Sequence, residues 1–80
     1  MLREEIKQQL AEIYSLITSN DADKIDENAD LRTDLGLSSI GMLYLIIAIE
    51  QKFNITFENV SMGDFERVKD VVDFIEKKAN

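Results

Sequence analysis

Five apolar residues, Leu2, Ile6, Leu10, Ile13 and Ile17, recur at spacings of four and three. At 100° per residue they fall within about 80° of one another, the stripe of a helix that packs on one side. Glu4, Glu5, Lys7, Gln8 and Glu12 take the other faces, and the turn-rich Thr18-Ser19-Asn20-Asp21 ends the pattern. A last helix is predicted from about Arg67 to Lys78, with Val68, Val71, Val72 and Ile75 on one face and Asp70, Asp73 and Lys77 opposite. Between them, Ser39 to Phe53 also reads as a helix, about 22 Å long at 1.5 Å per residue. Its many isoleucines suit a strand, but it is too long for one without an internal turn signal beyond Gly41. Asn54 to Gly63 is irregular, with one short helical turn expected near Val60. The fold class is all-α: a small four-helix bundle of three longer helices and one short helix, in a single domain over 1–80.

At roughly 1.5 kcal/mol of ordering cost per residue, a chain of this size folds only if nearly all its apolar side chains share one core. A hydrophobic content of 45% allows that. Cysteine and histidine are both absent, which removes disulfides, thiolate or imidazole metal sites and the commonest general base. Paired carboxylates such as Asp26 with Glu27 lie in a polar loop with no evident pocket to shift a pKa. No metal site and no enzyme activity are assigned. The Asp21-x-Asp23 start of that loop hints at calcium, but Asp26 stands where a calcium loop needs glycine and Arg32 where it needs glutamate. Asp21 to Asp34 reads instead as a solvated connection, pinned to the core by Ile25, Leu31 and Leu35.

A net charge of −7 argues against nucleic acid, whose phosphates demand a basic face. Met1 to Glu5 carries charge where a secretory signal would have apolar residues. The longest apolar run, Met42 to Ile49, is far short of the ~20 residues that span a bilayer. The expectation is a soluble, cytoplasmic monomer that binds neither nucleic acid nor membrane.

The second helix carries two apolar stripes. Met42, Leu45, Ile46, Ile49 and Phe53 fall within about 100°, and Ile40, Leu43, Tyr44 and Ile47 cluster on roughly the opposite side. The first stripe is longer and contains Phe53, so it is assigned to the core. The second either belongs to a central helix buried on both sides or stays exposed to meet a partner. Tyr44 favours exposure, because its hydroxyl wants water or a polar partner.

Directly before this helix stands Asp34-Leu35-Gly36-Leu37-Ser38-Ser39-Ile40. Ser38 is a good N-cap, Gly36 permits a left-handed turn, and Asp34 suits a turn that bonds its own backbone. Capping explains those three without any function. It does not explain Ser39, a hydroxyl on the first helical turn beside the Ile40 stripe. An anionic phosphodiester there would be favoured by the helix dipole and the free N–H groups, by about 0.3–1 kcal/mol when exposed.

That segment, followed by the helix ending Ile49-Glu50-Gln51-Lys52-Phe53, resembles an acyl carrier protein, and the likeness spans essentially the whole chain. The resemblance implies that Ser39 receives 4′-phosphopantetheine from coenzyme A through a magnesium-dependent phosphopantetheinyl transferase. Asp34, Gly36, Ser38 and Ile40 would form the supporting motif. The arm would supply the missing thiol and hold acyl groups as thioesters for acyl-activating, condensing or modifying enzymes. Ile40, Leu43, Tyr44, Ile47 and Glu50 would meet those partners.

The chain departs from the family pattern at three positions. Ser38 stands where fatty-acid carriers usually have aspartate. Ser39 is chosen over it because Ile40 matches the apolar residue after the family's serine, and the downstream register then fits without gaps. Glu50 is the sole acid on a recognition helix where fatty-acid carriers display several, so docking is expected to depend less on salt. Gly41, costing about 1 kcal/mol inside a helix, either admits a partner or the arm closely or leaves the first turn frayed. Fatty-acid, polyketide and related biosynthesis all remain open, as does an aminoacyl or peptidyl carrier loaded by an adenylating enzyme. From another class, an unmodified helical interaction module would use the same stripe for docking.

Overall fold

The computed structural model describes residues 2–18, 25–58 and 62–79. Three helices make up the fold: α1 (Arg3–Thr18), α2 (Ser39–Phe53) and α3 (Val68–Ala79). A single 3-10 turn at Met62–Asp64 precedes α3. The only strand-like pairing among the described residues is an isolated antiparallel bridge between Asp30 and Arg67. The short helix expected near Val60 falls outside the described residues.

Each helix buries most of the face its apolar period marks, though Leu2, counted in the first stripe, lies before α1 and is exposed. Ile6, Leu10 and Ile13 of α1, Met42, Leu45 and Ile49 of α2, and Val68, Val71, Val72 and Ile75 of α3 form one cluster with Ile25, Leu31, Leu37 and Phe65. Ile46 and Phe53 are only half-buried. Burying a side chain of the Val, Leu or Ile type contributes about 1.5–3 kcal/mol, so this cluster outweighs any single surface contact.

Helix ends follow local chemistry. The final helix starts one residue later than its apolar period suggests. The Asp70 carboxylate accepts from the backbone N–H groups of Glu66 and Arg67, each at 3.0 Å, which leaves Arg67 as the flanking residue. α2 ends at Asn54, whose φ of 55° and ψ of 49° are left-handed and whose N–H bonds the Glu50 carbonyl.

The connection before α2 is more structured than a solvated loop. Ile25 and Leu31 are buried, and Leu35 is half-buried. The backbone pairs with the approach to α3: Leu31 N–H with the Glu66 carbonyl at 2.9 Å, Val68 N–H with Ala29 at 3.0 Å and Lys69 N–H with Glu27 at 2.9 Å. Asp30 accepts from Arg32 and Thr33 N–H, each at 2.8 Å. Those two donors hold its carboxyl below the usual carboxylate range. Asp26 accepts from Asn28 N–H and Asp34 from Asp30 N–H, each at 2.8 Å, so these carboxylates too close turns.

Arg3 ties the fold's ends together, reaching Glu27 at 2.5 Å, Asp73 at 2.8 Å and Glu76 at 3.1 Å. Phe57, Phe65 and Phe74 form an aromatic cluster with ring centroids 4.5 to 5.6 Å apart, which fastens the segment after α2 to α3.

Candidate functional site

The approach to α2 is held from three sides. The Asp34 carboxylate accepts from Asp30 N–H at 2.8 Å, while Asp34 and Leu35 N–H both reach the Asp30 carbonyl at 3.0 Å. Asp34 therefore closes a turn with backbone four residues upstream. Gly36 has φ +72° with open space around a would-be Cβ, so glycine is needed there for its backbone conformation. Leu37 is buried, and its N–H bonds the Leu31 carbonyl at 3.1 Å.

Ser38 is the N-cap of α2: its hydroxyl accepts from Gly41 N–H at 3.1 Å, and its carbonyl accepts from Met42 N–H at 2.8 Å. Ser39 is the first helical residue and is exposed. The two serines thus occupy different positions, Ser38 turned into the cap and Ser39 on the first turn. Amides at the start of a helix have no intrahelical partner and carry the positive end of the dipole. A phosphodiester on Ser39 fits that environment.

Gly41 resolves the choice between close approach and fraying. It is buried, and a Cβ there would lie 3.3 Å from Leu37 Cδ2 and 3.5 Å from Ser38 Oγ. What approaches closely is the chain's own loop, seated on the first turn of α2.

Beyond Ser39, the second stripe of α2 lies open. Ile40 is 63% exposed, Leu43 48%, Tyr44 57% and Ile47 42%. The helix is therefore not buried on both sides. Glu50, grouped with them from the sequence, is half-buried, and its carboxylate accepts from Phe57 N–H at 3.0 Å. No cluster of metal-ligating side chains occurs among the described residues. No described helix is long and apolar enough to cross a membrane.

A void of about 10 Å³, lined by Leu10, Tyr14, Ile25, Leu31, Leu35, Leu45, Val68 and Val71, is the size of a single water. Met42 is fully buried and fills the interior.

One contact has no sequence signal. The Tyr14 hydroxyl donates to the Leu35 carbonyl at 3.0 Å, joining α1 to the loop before Ser39.

The family described as "Phosphopantetheine attachment site" matches residues 4–75. An acyl carrier protein of Coprothermobacter proteolyticus is 36% identical over 76 residues, covering 95% of this chain and 93% of the relative. The crystal structure of an acyl carrier protein from Thermotoga maritima superposes with a TM-score of 0.83 at 28% identity, over 95% of this chain and 88% of that one. The apo doublet acyl carrier protein from prodigiosin biosynthesis shares the fold, with a TM-score of 0.78 at 21% identity, over 94% of this chain and 36% of that one.

Proposed function

This chain belongs to the acyl carrier protein family, with a covalent 4′-phosphopantetheine as its cofactor, and we propose that Ser39 is the residue that carries it. The observation that carries this reading is the exposed hydroxyl at the first position of α2, beside a neighbouring serine engaged in capping. Asp34, Gly36 and Ser38 shape and cap the turn that presents it, and Ile40 opens the surface beside it.

In the transfer, the Ser39 oxygen forms a phosphodiester bond to the 4′-phosphopantetheine phosphorus of coenzyme A. The pyrophosphate bond breaks and the nucleotide half leaves. The hydroxyl proton goes to a general base, assigned here to the transferase. The arm supplies a thiol that holds acyl groups as thioesters, in a chain with no cysteine of its own. Catalysis belongs to the partners.

The protein is then a cytoplasmic, monomeric carrier formed by the single domain 1–80. Ile40, Leu43, Tyr44, Ile47 and Glu50 are the residues proposed to meet its partners. These are a phosphopantetheinyl transferase and the acyl-activating, condensing or modifying enzymes of fatty-acid, polyketide or related biosynthesis. The largely apolar face of α2 also supports a second reading, an aminoacyl or peptidyl carrier loaded by an adenylating enzyme.

The test is intact-protein and peptide mass analysis after treatment with coenzyme A and a broad-specificity phosphopantetheinyl transferase. One arm is expected in the wild type and in Ser38→Ala, and none in Ser39→Ala. Modification of Ser39→Ala, or an unmodified wild type, would refute the assignment. The latter result would instead fit an unmodified interaction module.

A further inference from the structure

We infer, on the reading that Ser39 carries the arm, that Tyr14 is a positioning residue for its attachment. By holding the Leu35 carbonyl against α1 it fixes the Leu35–Gly36 peptide, so that the loop before Ser39 offers the transferase the Gly36 N–H.

That peptide is held at one atom. Its carbonyl accepts from the Tyr14 hydroxyl at 3.0 Å, and the Gly36 N–H has no partner among the described residues. The bonds on either side belong to other peptides. Leu35 N–H reaches the Asp30 carbonyl at 3.0 Å, and Leu37 N–H the Leu31 carbonyl at 3.1 Å. Both survive a rotation of the peptide between them, which changes ψ of Leu35 and φ of Gly36 in opposite senses. Glycine takes either sign of φ about equally well, so residue 36 permits its φ of +72° without imposing it. The Tyr14 hydroxyl selects it. Tyr14 is half-buried, and its ring lines the small void beneath the loop with Leu10, Leu31 and Leu45, so the oxygen is carried by a packed ring.

The selected orientation decides what an enzyme meets. The peptide is trans, and a trans peptide points its N–H opposite to its carbonyl. With the carbonyl drawn toward α1, the Gly36 N–H faces away from that helix, in a stretch where Asp34, Gly36 and Ser38 are all exposed. Gly36 stands three residues before Ser39, at most about 11 Å away. A standard interface of about 800 Å² per partner has a radius of roughly 16 Å. An enzyme centred on Ser39 therefore covers the peptide. In the observed orientation it meets a backbone donor. After rotation it would meet a carbonyl, and an enzyme acceptor placed there would lose its hydrogen bond.

The test compares the full wild-type chain with Tyr14→Phe and Ile75→Val. The second variant trims a fully buried side chain of α3 and lowers stability away from the loop. kcat and KM for arm transfer are measured against carrier concentration, with coenzyme A and a broad-specificity phosphopantetheinyl transferase. Tyr14→Phe should raise KM at least about twofold with kcat kept, because only part of the population then presents the bound orientation. Ile75→Val should leave both constants unchanged. In nuclear Overhauser spectra, the balance of Gly36 N–H cross-peaks to Leu35 Hα and Leu35 N–H reads ψ of Leu35. It should change in Tyr14→Phe, while the same balance at Val71–Val72 in α3 stays as in wild type. An unchanged KM in Tyr14→Phe, an equal rise in Ile75→Val, or unaltered Leu35–Gly36 cross-peaks would overturn the inference while leaving Ser39 as the attachment point. A wild-type chain that takes no arm would overturn both.

Discussion

The Tyr14 hydroxyl donates a 3.0 Å hydrogen bond to the Leu35 carbonyl, four residues before Ser39, and so couples α1 to the loop that sets the start of α2. Tyr14 is half-buried and its ring also lines the small void under that loop. Tyr14→Phe keeps the ring and removes the donor. We predict a loss of about 1–2 kcal/mol, from the bond and from a carbonyl left short of a partner. Urea unfolding measures it, and a change under about 0.3 kcal/mol would show that water replaces the hydroxyl without cost.

Gly36 separates backbone strain from crowding. Its φ is +72° and nothing lies within 4 Å of a would-be Cβ. Gly36→Ala should therefore cost about 1–2 kcal/mol through the left-handed conformation alone. Gly36→Asn should cost less, because asparagine tolerates that region better. Equal losses in thermal unfolding for the two variants would contradict the conformational account.

At Gly41 the two effects oppose each other. Replacing an interior helical glycine by alanine contributes about 1 kcal/mol of stability. The new methyl would press on Leu37 Cδ2 at 3.3 Å, and that methyl end needs to give by only a few tenths of an ångström. Gly41→Ala should be neutral or stabilising by up to about 1 kcal/mol. Gly41→Val adds a second branch against Leu37 and Ser38 Oγ and should cost about 1–3 kcal/mol. A clear loss in Gly41→Ala, read from the urea midpoint, would mean that Leu37 is too tightly held to move.

The helices are legible in the sequence because burial on one side imposes a 3.6-residue period, and no long-range information is needed to see it. The same wheel separates the buried Met42, Leu45 and Ile49 from the open Ile40, Leu43, Tyr44 and Ile47. Ser38 as a cap and Gly36 as a left-handed residue follow from local chemistry. The links that arrange these pieces are not legible. Tyr14 meets Leu35 across 21 positions and Arg3 meets Glu76 across 73. Neither pairing has a local period or spacing to betray it. Glu50 shows the same limit: its type suits a docking surface, but its bond to Phe57 depends on how the chain turns after α2.

The acid side of the stability curve should follow from three carboxylates held below their ordinary range. Glu27 is lowered chiefly by Arg3, Asp30 by the Thr33 and Arg32 N–H groups, and Asp70 by Arg67 N–H, with Glu66 N–H adding to it. Each folded-state pKa lies below the unfolded one, so between the two values the unfolded chain binds more protons and stability rises with pH. The contribution is fully present above the ordinary carboxylate range near pH 4 and is lost as pH falls through the lower folded values. Asp30→Asn and Asp70→Asn keep an oxygen acceptor for the same N–H groups but cannot titrate. Both should be less stable than wild type at pH 7, and the gap should close by about pH 2. Urea midpoints across that range measure it. A gap that persists undiminished in acid would mean that the charge on these carboxylates does not strengthen the turns they close.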